Sequence, residues 1–499
     1  MTETELKLQV SADRVDAVAA AVRTATARTE RLQAVYLDTP GRALAQAGLA
    51  LRLRREGRRW VQTLKALGED RLQRLEHNVP RGSTAAAPAV DVALHAGTPA
   101  GARLEAALRG LPPDALQPVF GTDIRRTRRV LRVPGGALEL ALDRGRLHAG
   151  ARECPVCELE IELLCGPATL VIAQARRWVA RHGLWLDVQS KAERGERLAA
   201  GDPPVLAVGA RAPAYPPQAE LAAGRRAVLA ACAEQVLENA CRIANGDSGD
   251  EPVHQLRVGL RRLRSALRLF DGAAPDAAPD PLAAGAAALF GRLGAARDQA
   301  AIGGPLRAEL QAAMAALGLA TSAPALPAAA DAEAPVAVLR SAAAQAWLLD
   351  LLAALQPQPS AEPAPPLRAH LAAGLQRWHR QVADEAPRFD TLDDAARHRL
   401  RKRVKRLRYA VEFAAPLYEA KAVRRYLQPL RELQDRLGAF NDACVGLAGY
   451  RSADAGDPAV GFALGWLAAR RAQRLAECAP ALQALADARR FWKKAKKPR

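Results

Sequence analysis

The sequence predicts an α+β chain of more than one domain, β-rich over residues 1–200 and all-helical beyond residue 217. Three observations predict it. Charged and apolar residues alternate with period two in the first part, a Pro/Gly-rich stretch interrupts the chain at 201–217, and the remainder repeats a helical pattern at a constant offset of 144 residues. A length of 499 residues, at roughly 150 per domain, agrees with more than one core.

The first alternation runs from Glu3 to Val10 and returns at 49–54, 60–65, 124–130, 138–142 and 158–163, each a strand by its period. Pro134, Gly135 and Gly136 separate two of these runs as a hairpin turn. Helices are expected near 12–26 and 169–182. Residues 201–217, GDPPVLAVGARAPAYPP, hold too much Pro and Gly for either regular state and read as a linker. Beyond it Leu256, Leu260, Leu263 and Leu267 fall at i, i+4, i+7 and i+11, one apolar stripe of an amphipathic helix. Ala/Pro-rich segments near 322–335 and 357–366 read as loops.

The repeat needs no second sequence to be seen. His254, Arg257, Arg261 and Arg264 map onto His398, Arg401, Lys405 and Arg408, Leu293-Gly294 onto Leu437-Gly438, and Asp298 onto Asp442, all at the same offset. The expected organisation is a domain at 1–200, a linker at 201–217, and a domain at 218–499 made of two duplicated helical bundles, approximately 218–355 and 366–499.

Composition narrows the function. Lys and Arg number 72 against 53 Asp and Glu, a net charge of +19, and the first 200 residues alone carry 31 against 23, so both halves are expected to meet anions. Seven cysteines without a staple spacing read as reduced thiols of a cytoplasmic protein. Cys154 and Cys157 have CxxC spacing, but no second pair follows. The first residues show no basic and apolar leader, and no apolar run approaches the ~20 residues of a membrane helix, so no membrane partner is expected. GxxxxGK[ST], HExxH and a GxSxG nucleophile elbow are absent, which removes P-loop, zincin and acyl-transfer readings.

Side chains two apart on a strand share a face. Glu3, Glu5 and Lys7 therefore oppose Leu6, Leu8 and Val10; Arg52 and Arg54 oppose Leu51 and Leu53; Glu158, Glu160 and Glu162 oppose Leu159, Ile161 and Leu163. Arg126 and Arg128 also share one face. Any one such strand reads as a solvated polar face over a core, but carboxylates on an early and a late strand with cations on the others fit a shared charged interior. Paired carboxylates are hard ligands for Mg²⁺ or Mn²⁺, and guanidinium and ammonium groups hold phosphates.

In these residues the N-terminal part resembles the CYTH family, the triphosphate tunnel metalloenzymes, whose hallmark strand is Glu-x-Glu-x-Lys, here Glu3-Thr-Glu5-Leu-Lys7. In order follow Tyr36-Leu-Asp38-Thr39, Leu51-Arg52-Leu53-Arg54, Gln62-Thr63-Leu64-Lys65, Arg74-Leu-Glu76, Thr122-Asp123-Ile-Arg-Arg126, Ala141-Leu-Asp143-Arg-Gly145, Glu158-Leu-Glu160-Ile-Glu162 and Ser190-Lys191. The resemblance implies an eight-stranded closed antiparallel β-tunnel with flanking helices that hydrolyses inorganic triphosphate with Mg²⁺ (or Mn²⁺). It implies metal ligation by Glu3, Glu5 and the Glu158/Glu160/Glu162 run, Glu160 ranking first, and substrate binding by Lys7, Arg52, Arg54, Lys65, Arg126 and Lys191. Glu3, Glu5, Lys7 and Lys65 are the expected catalytic group, and thiamine triphosphate or a nucleotide the alternative substrates.

The repeated region resembles the CHAD domain, which is associated with inorganic polyphosphate. The resemblance implies a binding face made of His254, Arg257, Arg261, Arg264, His398, Arg401, Lys405 and Arg408, the two copies converging on one basic groove, and localisation in the cytoplasm, at polyphosphate granules. A non-catalytic polyphosphate-binding or granule-targeting protein is the second reading. A nucleic-acid partner is disfavoured, because only Tyr409 stands beside the basic runs to stack on a base.

Overall fold

The computed structural model describes residues 2–68, 72–112, 114–201, 206–247, 249–270, 280–326, 333–356, 366–451, 453 and 456–493, with the backbone alone at Thr2 and 295–302. They form two compact units, one of residues 1–209, 234–256 and 335–357, the other of 210–233, 257–334 and 358–499. The expected linker falls partly on 202–205 and one expected loop on 357–365, outside the described residues.

The first unit is built on strands β1 (Thr2–Gln9), β2 (Arg28–Asp38), β3 (Leu49–Glu56), β4 (Arg59–Leu67), β5 (Gln73–Pro80), β6 (Gln117–Val133), β7 (Gly136–Ala149), β8 (Arg152–Cys165) and β9 (Trp185–Asp187). Eight of them run antiparallel in the order β5-β4-β3-β2-β6-β7-β8-β1, and β1 pairs back onto β5, which closes the barrel. Closure uses only half of that edge: Thr2–Thr4 pair with Gln73–Leu75, and Lys7–Gln9 pair with β9. Every predicted strand is present. Three more were not predicted, β2, β5 and the three-residue β9, and β6 and β7 run on through the Gly135 turn to 17 and 14 residues.

Closure gives the alternation its meaning. Leu6, Leu8, Leu159 and Ile161 point outward and are buried beneath helix α4, which packs on β1 and β8. In chain order the helices of this part are α1 (Val15–Val22), α2 (Ala43–Gln46), α3 (Pro99–Leu108), α4 (Thr169–His182) and α5 (Lys191–Ala199). Helix α1 is shorter than the expected 12–26, since Thr24 and Thr26 are β-branched and poor helix formers. Helix α4 has the expected bounds, ended by Gly183 at φ +66°, where glycine carries no Cβ penalty.

Inner-face residues at one end of the barrel are apolar: Leu32, Ala34, Tyr36, Phe120, Ile124, Leu147 and Val156 cluster with Leu198 of α5. Helix α5 is thereby fixed against the barrel, and a capping box between Ser190 and Glu193 sets its first turn. Lys191 and Arg194 leave that turn toward the charged part of the lumen.

The all-helical part comprises α6 (Leu221–Ala244), α7 (Asp250–Phe270), α8 (Pro281–Arg292), α9 (Ala295–Ala316), α10 (Pro335–Arg340), α11 (Ala342–Ala354), α12 (Leu367–Ala383), α13 (Asp394–Ala414), α14 (Ala420–Arg451) and α15 (Pro458–Asp487). Helices α7 and α13 begin and end at positions related by the offset of 144. Both apolar stripes, Leu256/Leu260/Leu263/Leu267 and Leu400/Val404/Leu407/Val411, are buried. The copies differ at Leu293-Gly294, where α8 ends and α9 begins, whereas Leu437-Gly438 lies inside the unbroken α14. The side chain of Asp298 lies outside the described residues.

A Cβ on Gly195 would stand 2.1 Å from the Phe120 ring. Gly195→Ala is therefore expected to destabilise the first unit by about 1–3 kcal/mol through overpacking. A thermal midpoint unchanged from wild type would show that α5 is not seated as described.

Candidate active site

Strand register decides which charges meet inside the barrel. Across β1 and β8, Glu5 lies opposite Glu162, Lys7 opposite Glu160 and Gln9 opposite Glu158. Across β8 and β7, Glu162 meets Glu139 and Glu158 meets Asp143, and Asp143 in turn faces Arg126 of β6. On the other side Glu3 faces Arg74, Glu76 faces Lys65, and Arg52 faces Tyr36. All the expected tunnel residues that lie on strands thus share the inner face.

They sort into two clusters. In the first, the Lys65 ammonium lies 2.6 Å from Glu3 and 2.8 Å from Glu76, and Arg74 Nε lies 3.2 Å from Glu5, which Lys7 approaches to 3.7 Å. Burial pushes Glu3 up to about 9, with Lys65 opposing it. Burial likewise raises Glu162 to about 7. Glu5 is held below the usual carboxylate range, because Lys65 and Lys7 outweigh its desolvation.

In the second cluster the Lys191 ammonium sits among three carboxylates, 2.6 Å from Asp143 and 2.8 Å from Glu160, and also bonded to Glu158. Arg126 donates two hydrogen bonds of 2.7 Å to Asp143 and pairs with Glu160, while Arg194 pairs with Glu158. Against their desolvation, Lys191 and Arg126 hold Glu160 well below its ordinary value, and Arg126 and Lys191 lower Asp143. The carboxylates raise the Lys191 ammonium in turn, overcoming its burial. Asp143, Glu158 and Glu160 each offer one oxygen within 4.8 Å of the others.

Along the remaining wall Arg52 donates to the Tyr36 hydroxyl at 3.1 Å, Arg54 pairs with Glu56, and Arg128 bridges Glu30 at 3.0 Å and Glu139 at 3.1 Å. Sequence reasoning placed Glu76, Arg74 and Asp143 in motifs, and Arg128 on the face of Arg126, without assigning them to the site, and it missed Glu139 and Arg194. Parity with Glu3, Lys65 and Arg126 along paired strands was the usable signal for all but Arg194, which enters from the helix one turn after Lys191. Cys154 and Cys157 are three apart on β8 and leave opposite faces of the strand, so the CxxC spacing makes no common site.

Family profiles match this architecture in order: residues 1–195 match the CYTH domain and residues 227–451 the CHAD domain. The chain carries a CYTH domain followed by a CHAD domain. An inorganic triphosphatase of Haemophilus influenzae is 30% identical over 168 residues, which are 33% of this chain and 44% of that protein, so the alignment spans less than half of the relative. Among solved structures, the CHAD domain of Ricinus communis is 32% identical at a TM-score of 0.40, over 56% of this chain and 96% of that one. A Hippeastrum protein with a dominant triphosphatase activity is 18% identical at a TM-score of 0.29, over 40% and 96%.

In the CHAD domain the expected basic residues divide. Arg261, Arg401 and Arg408 lower the Lys405 ammonium together with its burial, to about 7, so these four cations are neighbours. Arg264 stands instead with Arg268 near Arg406, whose guanidinium burial and those charges lower to about 10. Arg257 is buried, stacked on Phe290 and donating to the Leu293 and Gly294 carbonyls where the first copy's helix breaks. Its counterpart Arg401 meets no such break, because α14 is continuous. His398 bonds Asn441 at 3.0 Å, and His254 is exposed on α7.

Lys191→Ala is expected to remove about 3–5 kcal/mol of stability, since it strands buried carboxylates. Arg54→Ala, which leaves only the half-buried Glu56 without a partner, should cost about 1 kcal/mol or less. Urea denaturation in the presence of chelator measures both, and equal losses would contradict the central place of Lys191.

Proposed function

We propose that the CYTH tunnel hydrolyses inorganic triphosphate with Mg²⁺ (or Mn²⁺), and that the CHAD domain binds inorganic polyphosphate. The observation that carries the first part is a closed lumen lined by both carboxylates and cations, drawn from strands all round the barrel. The Haemophilus influenzae relative supports the choice of substrate.

A divalent cation fits the donor set: burial raises the proton affinity of the Glu3 and Glu162 carboxyls, so the lysines and arginines around them stabilise the ionised forms incompletely, and a cation in place of the protons would complete that stabilisation. Glu3, Glu5, Glu160 and Glu162 would hold it, with Glu158 tied to Lys191 and Arg194. When bound it supplies Lewis-acid polarisation of phosphoryl oxygens and a more acidic water. Lys7, Arg52, Arg54, Lys65, Arg126 and Lys191 bind and orient the triphosphate oxygens and offset the charge that develops on them. Rigid pairing within the barrel pre-organises these groups, which lowers the reorganisation needed at the transition state.

Glu5→Gln should abolish Mg²⁺-dependent phosphate release while keeping the circular dichroism of wild type; retained turnover at limiting Mg²⁺ would remove Glu5 from the site. Arg54→Ala should lower kcat/KM, mainly through KM, in a comparison of triphosphate, thiamine triphosphate and ATP. Faster turnover of either organic triphosphate would change the proposed substrate.

For the CHAD domain the support is the crowded cation group of Arg261, Arg401, Lys405 and Arg408, drawn from both copies of the repeat. A bound polyanion would raise Lys405 from about 7 toward its ordinary value, so binding near pH 8 should take up a proton and weaken as pH rises above 7. Titration calorimetry of the full chain with polyphosphate, in buffers of different ionisation enthalpy, reads the uptake. Binding without proton uptake, or uptake unchanged in Lys405→Arg, would place the polyanion elsewhere. The non-catalytic reading predicts polyphosphate binding with no phosphate release from any substrate.

A further inference from the structure

The outer wall of the tunnel carries charge that the lumen does not use. Arg31 of β2 lies directly opposite Arg125 of β6, and Arg125 directly opposite Arg144 of β7, so three arginines stand in one row across three adjacent strands. Their parity is opposite to that of Glu30, Arg126 and Asp143, which places them on the exterior, and all three are exposed. One step along the strands Asp123 faces Arg146. Like charges directly opposite each other destabilise an antiparallel pair. Asp123 relieves only part of this, accepting from Arg31 Nε at 2.8 Å, and Arg146 turns to Glu153 at 3.0 Å. Among the described residues no carboxylate pairs with Arg125 or Arg144.

The row borders a hollow of about 740 Å³, open to solvent and lined by Thr29, Arg31, Asp123, Arg125, Arg144 and Arg146 with their neighbours. Gly145 shapes its floor: a Cβ there would stand 2.0 Å from the Asp123 carbonyl oxygen, so the absence of a side chain lets β7 draw Arg144 and Arg146 close to β6. Neighbouring strands are about 4.8 Å apart, so the row offers guanidinium groups at short regular intervals over roughly 10 Å.

We propose that this exterior row is a second binding track for inorganic polyphosphate, on the wall of the CYTH domain and separate from its lumen. A linear chain with a charge on every phosphate can meet several in-line guanidinium groups at once, each able to make paired hydrogen bonds. The lining holds no aromatic side chain on which a base could stack, which argues against a single-stranded nucleic acid. The track shares its ligand class with the CHAD reading above but none of its residues.

The test uses the full chain, long-chain inorganic polyphosphate, and the double variant Arg125→Glu/Arg144→Glu, in otherwise wild-type protein and in an Arg261→Ala/Lys405→Ala background. Affinity is expected to fall about tenfold at low salt in both backgrounds, with a shallower salt dependence as fewer phosphates are contacted. Phosphate release from triphosphate should stay at the wild-type level, which also shows that the barrel has folded. Asp123→Asn, which frees Arg31 without adding bulk, should tighten binding. Unchanged affinity in both the double variant and Asp123→Asn overturns the proposal, as does a larger loss of binding to duplex or single-stranded DNA than to polyphosphate. A background pair that leaves affinity intact while the double variant lowers it would fail the CHAD reading and uphold this one.

Discussion

The structure depends on one constraint: a closed barrel turns every second residue of eight strands into a confined, low-dielectric space, and in this chain many of those residues, outside the apolar end, are charged. An isolated buried carboxylate or ammonium is strongly unfavourable. The lumen is tenable because carboxylates find cations there, Asp143 against Arg126, Glu160 against Lys7, Glu76 against Lys65 and Glu3 against Arg74, each of these pairings set by strand register. A slip of one residue in any strand would send its charges outward and its leucines inward, so the ionic lumen and the apolar outer layer specify the same register.

The same constraint explains α5. The barrel's carboxylates around Asp143, Glu158 and Glu160 exceed what Arg126 alone can offset, and the missing cations come from outside the sheet, as Lys191 and Arg194 on the first turns of a helix. For that helix to reach the lumen, its other face must be apolar and closely seated, which is the role of Leu198 and of Gly195 against Phe120. Packing at the plugged end and electrostatics in the open part are therefore one design. The carboxyls of Glu3 and Glu162 keep raised proton affinities, because the cations around them offset their burial only in part.

Much of this was legible in the sequence. Period-two alternation located six strands, and a constant offset located the repeated helices, because both signals come from the geometry of burial. β2 escaped because its outward positions alternate polar Arg31 and Gln33 with apolar Val35, which blurs the period. β5 escaped because its buried-side positions are themselves polar: Arg74 and Glu76 face the lumen, and His77 bonds His95 at 2.9 Å on the other side. Arg257 looked equivalent to Arg401 by spacing, yet one copy breaks its helix at Gly294 and the other does not. A repeat read from residue types cannot register such a break, since it arises in tertiary packing.

The two domains solve one electrostatic problem in opposite ways. In the CYTH lumen most cations pair with carboxylates, so the site is largely compensated internally, and the triphosphate proposed above would exchange partners with groups already paired. In the CHAD domain Arg261, Arg401, Lys405 and Arg408 crowd together, with Glu412 paired to Arg408 and Asp442 acting on Lys405, and burial together with the neighbouring guanidinium groups lowers the Lys405 ammonium to about 7. A compensated site favours selectivity, because only a ligand with correctly spaced charges and a cation can replace the internal pairs. A less compensated one favours affinity for any dense polyanion, because binding relieves repulsion the fold already bears. On the functions proposed above, these different charge balances in a single chain would suit a short, geometrically defined substrate in one domain and a long, repetitive ligand in the other.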